Sequence, residues 1–137
     1  MNTYFISTIS HNKQRYPTVG DWHFRKLTEY IDHLDIYVSR MNNTDYEFLV
    51  GIHELIEAYL CRKRGIKEED VTKFDIDFEE HREENQKLFG DDFPIEPGND
   101  SMAPYFLEHQ FATKIEKLVA AELEIDWDEY DKTVNEL

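Results

Sequence analysis

The stretch EFLVGIHELIEAYLCRKRG, Glu47 to Gly65, decides how the rest of the chain is read. It has the apolar content of a core helix, yet His53, Glu54 and Glu57 stand in its middle. Successive helical residues turn by about 100°, so Glu57 lies about 40° from His53. Tyr46, Leu49, Val50, Ile56 and Leu60 fall within about 60° of the same direction. His53 and Glu57 therefore share a face that is otherwise apolar. Phe48, Leu55 and Tyr59 cover the other side, which predicts a helix wrapped by protein. An ionised Glu in that setting is costly unless something pairs with it. TDYE, Thr44 to Glu47, has the spacing of a capping box, with the Thr44 hydroxyl accepting from the Glu47 amide. Gly65 supplies the stop.

The pattern recurs in PYFLEHQFATKIEKLVAAEL, Pro104 to Leu123. Tyr105, His109, Ala112, Glu116, Ala120 and Leu123 form one inward stripe, while Lys114 and Glu122 lie on the outer side. Two helices that each present His and Glu inward predict that the four groups meet. A bound cation would compensate the carboxylates and take neutral imidazoles as ligands. The plainer alternative is a buried imidazolium–carboxylate cluster that holds the helices in register.

HELIE adds a shape to the metal reading, because H-E-x-x-E resembles the H-E-x-x-H of metallohydrolases. His53 and Glu57 occupy the ligand places and Glu54 that of the general base. With His109 the set is two His and one carboxylate, which suits catalytic zinc with an open position or non-haem iron. His81 is an alternative third ligand. Glu116 is a fourth ligand or an acceptor that orients His109, and Tyr105 is a possible oxyanion donor. Glu108 is expected to be solvated, and Cys61 to be a small buried residue.

The segment LDIYVSRMNNTDYEFLVGIHELIEAYL, Leu34 to Leu60, resembles the core of a zincin-type metallohydrolase, an edge strand followed by the signature helix. The resemblance implies metal on His53 and Glu57, Glu54 as general base and a third ligand from a later helix. Glu57 stands where those enzymes carry their second His, so His109 would supply the missing imidazole. RYPTVGDW, HELIEAYLCRKRGI and EHQFATKIEKLVAAEL together are similar to uncharacterised proteins of phages and bacteria.

Outside these helices, TYFISTI and DWHF read as strands, and LDIYVSR alternates with a period of two. RKLTEYID between the last two fits a brief helix or a longer strand. A second helix is expected from about Lys67 to Phe89, with Val71, Phe74, Phe78, His81, Asn85 and Leu88 inward. Gly90 to Pro104 is a long loop, the expected wall of a cleft, and DWDE at Asp126 opens a last helix. The expectation is one α+β domain over residues 1–137, a small N-terminal antiparallel sheet on three to four helices.

The 137 residues carry 15 Lys plus Arg against 30 Asp plus Glu, a net charge of −15. Nucleic-acid binding needs the opposite sign. The acidity leaves room for an acidic interaction factor, a DNA mimic or a phage or host inhibitor. No long apolar run predicts a membrane span, no leader is evident, and the single Cys61 fits the cytoplasm. The function expected is a zinc-dependent hydrolase of peptide or amide bonds acting on a peptide or protein, or a degenerate relative of one. The expected cofactor is a divalent metal, zinc or iron.

Overall fold

The structure is a computed structural model and describes residues 2–137. Three strands, β1 (Asn2–Ile9), β2 (Gly20–Thr28) and β3 (Ile31–Ser39), precede five helices: α1 (Thr44–Lys63), α2 (Glu68–Glu80), α3 (Arg82–Phe89), α4 (Phe106–Glu122) and α5 (Trp127–Asn135). The class is α+β. β3 is central, and its alternating Leu34, Ile36 and Val38 are almost fully buried. The sheet is mixed and not antiparallel throughout. β2 and β3 form an antiparallel pair, whereas β1 runs parallel to β3 with Ile6 opposite Ile36. The segment after β1 crosses the end of β3, where the Ser39 amide donates to the Val19 carbonyl (2.7 Å) and Arg40 to Ile9 (2.7 Å). β1 thus reaches the far side of the central strand and cannot pair with β2. RKLTEYID belongs to the hairpin: the end of β2, a two-residue turn at Glu29 and Tyr30, and the start of β3.

α1 packs between the sheet and α4, and Leu49, Val50, Ala58 and Cys61 are buried there with Trp22, Tyr105, Ala120 and Tyr130. Its far side is less covered than the sequence predicts, since Phe48 and Tyr59 are each 51% exposed. The cap lies one residue earlier than expected. Asn43 is the N-cap and accepts from the Tyr46 amide (3.1 Å), while the Glu47 carboxylate accepts from the Met41 amide (2.7 Å). Asn caps at least as well as Thr and reaches the same third amide. At the other end Gly65 sits at φ +72°, with Ile66 bonded to Cys61 and Gly65 to Arg62 in a Schellman closure.

The second predicted helix is divided at His81, whose ring Nδ1 donates to the Asp77 carbonyl (2.8 Å) that also receives the His81 amide. The break itself is in the backbone, where His81 stands at φ −103°, ψ 7° as the C-cap of α2 and the N-cap of α3. His81 and Leu88 point outward, not into the core. Among the described residues no helix is long and apolar enough to cross a membrane.

Candidate metal centre

Three ligand atoms converge at the contact of α1 with α4. His53 Nε2 lies 3.1 Å from Glu57 Oε2 and 3.1 Å from His109 Nδ1, and His109 Nδ1 lies 2.9 Å from the same Glu57 oxygen. All three residues are buried. Protons alone leave the contact between the two ring nitrogens repulsive or one side of the triangle weak. If both ring nitrogens donate to Glu57, they face each other as two donors at van der Waals distance. If one is a lone pair, one side of the triangle is left to the weaker contact. Donors at the 2.0–2.1 Å zinc–nitrogen distance stand about 3.3 Å apart in a tetrahedron and about 3.0 Å apart on an octahedral face. The observed sides match that scale, so the cluster could hold a metal ion.

The outer contacts fix the tautomers that metal ligation needs. His53 Nδ1–H donates to Glu116 Oε1 (2.7 Å), and His109 Nε2–H donates to Glu96 Oε2 (3.2 Å). Each carboxylate accepts, so each outer nitrogen carries a proton, and in the neutral form of the ring the inner nitrogen is then free to ligate. Glu57 is oriented likewise, because Trp22 Nε1–H of β2 donates to its second oxygen (3.1 Å). Tyr130 of α5 donates its hydroxyl to the remaining oxygen of Glu116. Gly98 permits this arrangement: a Cβ there would lie 2.4 Å from His109 Cγ and Nδ1.

The charges answer one another. Burial opposes an imidazolium at His53, but Glu116 and Glu57 outweigh it and hold its pKa well above the ordinary value. At His109 burial is similarly outweighed by Glu57 and Glu96. Burial would raise Glu57 and Glu96, but the rings beside them hold both carboxyls below the usual range. Without a cation other than protons, this is a compact imidazolium–carboxylate cluster. A dication can replace those protons on the inner nitrogens.

The cluster opens into a cleft of about 860 Å³, within the usual size for ligand sites. Glu54 lines it beside the cluster and has no hydrogen bond or ion pair among the described residues. Burial, then the charge of Glu57, pushes its pKa well above the carboxylate range. Gly20 lies against it so closely that an added Cβ would stand 2.6 Å from Glu54 Cγ. Ile95 to Gly98, from the long loop, form part of the wall as expected.

His53, Glu57 and His109 are thus brought together, and His81 is left exposed on another surface. Glu116 orients His53, not His109. Tyr105 is buried with its hydroxyl donated to Asp75, which also receives the Tyr16 hydroxyl (2.9 Å). Glu108 is buried in an ion pair with Arg64 (2.7 Å), not solvated. Trp22, Glu96 and Tyr130 are contacts of the cluster that helix periodicity could not find, since they come from a strand, a loop and a different helix. The Glu-Pro-Gly sequence at 96–98 is the one local signal, a turn with space for a close neighbour.

Comparison of the chain with known protein families, with characterised proteins and with solved structures finds no match. The resemblances to a zincin core and to phage and bacterial proteins gain no support from it.

Proposed function

We propose that this is a zinc-dependent hydrolase of a peptide or other amide bond, with His53, Glu57 and His109 holding the metal and Glu54 carrying the proton. One observation bears most of the weight: both imidazoles are tied by their outer nitrogens to carboxylates, so that the neutral rings would turn two inner lone pairs and one Glu57 oxygen toward a common point. A zinc ion held there would supply Lewis acidity to water and to a substrate carbonyl. Glu54, adjacent and unpartnered, is the group placed to accept a proton from water and return it to the leaving amine. Burial raises its pKa, which favours a carboxyl that holds a proton once it has accepted one. Trp22, Glu96, Glu116 and Tyr130 keep the ligands oriented. The same two-His, one-carboxylate set is the donor set of non-haem iron centres, which makes iron chemistry the second reading.

The test is metal content of protein purified without chelator, beside His53→Ala. About one zinc per chain, absent from the variant, with amide cleavage lost on chelation and restored by zinc, is the expected result. A coloured, EPR-active protein with oxygen-dependent turnover would favour iron. No metal in either protein, and no change in melting temperature on adding zinc, would overturn the metal reading. The cluster would then be an ion-pair lock and the acidic surface the functional feature.

A further inference from the structure

The cleft has a charge pattern of its own. Eleven carboxylates line it against two cationic side chains, Arg82 and Lys132. Seven of the eleven are engaged within the protein. Asp21 is held by Arg15, Glu68 by His23, Asp75 by two phenols, Glu79 by Arg82, and Glu57, Glu96 and Glu116 by the two imidazoles. Arg82 is spent on Glu79. Four carboxylates, Glu54, Asp128, Asp131 and Glu136, have no hydrogen bond or ion pair among the described residues. Glu54 belongs to the chemistry already described, and the other three all come from α5 and its end.

Asp131 is the most enclosed of these three, half-buried where Asp128 and Glu136 are exposed. It lines the same cleft as Glu96 and Glu116. Burial, and then the charges of Glu96 and Glu116, raise its pKa, with Lys117 only a lesser opposing influence. A half-buried carboxylate with no cation of its own, in a cleft of net negative charge, is complemented by a cation that arrives with the occupant. The pattern also disfavours occupants of the other sign, since an acidic chain would meet more negative than positive groups along the cleft.

We infer that the cleft selects a peptide carrying a Lys or Arg side chain, whose ammonium or guanidinium group is received by Asp131 beside the Glu96–Glu116 wall. This rests on the hydrolase reading for the fate of the peptide but not for its binding. The experiment therefore measures binding. Three fluorescently tagged, end-blocked hexapeptides of Ala and Gly, differing only in a central Lys, Gln or Glu, are titrated against zinc-supplemented protein at low and high salt. Spermidine serves as a competitor. The Lys peptide is expected to bind at least tenfold more tightly than the Gln peptide, with the Glu peptide weakest and the differences shrinking at high salt. Asp131→Asn should bring the Lys-to-Gln ratio close to one while metal content stays unchanged. Glu84→Gln, which removes the same charge from an exposed position on α3, should leave the ratio unaltered. Equal binding of the Lys and Gln peptides, or an equal effect of both variants, would overturn the inference, the latter because net charge alone would then explain it. Asp131-dependent binding of spermidine without discrimination among peptides would overturn the peptide assignment and give the pocket to a free polyamine. Loss of metal and cleavage with retained, Asp131-dependent Lys preference would sink the hydrolase reading and leave this one standing.

Discussion

The state of the two imidazoles is decided by carboxylates that do not touch the inner triangle. Glu96 and Glu116 keep the outer nitrogens protonated, so each can be altered without removing a ligand. Replacement by Gln keeps the shape and removes the charge, and metal affinity should fall by about 10–100-fold in each variant, as read by competition with a chromophoric chelator. Unchanged affinity in both would mean that the tautomers are set some other way. Two glycines separate ligation from proton transfer. Gly98→Ala would drive a Cβ to 2.4 Å from the His109 ring, and it should lower metal affinity and stability together. Gly20→Ala presses instead on Glu54, with its Cβ 2.6 Å from Cγ. It should leave about one metal per chain and reduce turnover, measured as kcat on the same preparation.

At the scale of elements, the helix ends carry local energy that the site does not use. Glu124 follows α4 at φ +58°, with Ile125 bonded back to Ala120 and Glu124 to Ala121, a Schellman closure with a residue other than Gly in the left-handed position. Such a conformation costs a side-chain-bearing residue roughly 1 kcal/mol. Glu124→Gly should therefore raise the melting temperature by a few degrees. Asn43→Ala should do the reverse, losing about 1 kcal/mol with the cap of α1. The end of α1 that it loosens lies about 10 residues from His53, so metal content should hold. Both are read by calorimetry.

Across the whole molecule, the acidity has a pH signature. Burial raises Asp75 to about 7, against an ordinary value of 3.8, although Tyr105 donates to it. Between about pH 4 and 7 the folded chain therefore holds a proton that the unfolded chain has released. Stability declines as pH rises through that window, since the unfolded state binds fewer protons there. At about 1.4 kcal/mol per unit, the decline attributable to Asp75 is a few kcal/mol. Asp75→Asn removes it and keeps partners for both phenols. Urea unfolding from pH 4 to pH 8 should show a flatter profile for the variant, with its largest gain over the wild type above pH 7. A parallel displacement of the two profiles would contradict the assignment.

What the sequence by itself determined is what local geometry dictates. The helical period alone put His53 with Glu57 on one face and His109 with Glu116 on another, and the apolar residues around them made both faces inward. The same logic located α1, α4 and α5 closely and found the central strand from its alternation. It failed where distant groups compete for one backbone or one side chain. Thr44 lost the cap to Asn43, the backbone of His81 left the helical region and divided a long helix, and β1 joined the sheet in parallel because the chain crosses the end of β3. Only the tertiary structure chose His109 over His81, turned Glu116 toward His53, and brought Trp22, Glu96 and Tyr130 onto the ligands. Those contacts join residues 13 to 63 positions apart. No helical or strand period reaches that far, so packing alone decides which buried polar group meets which.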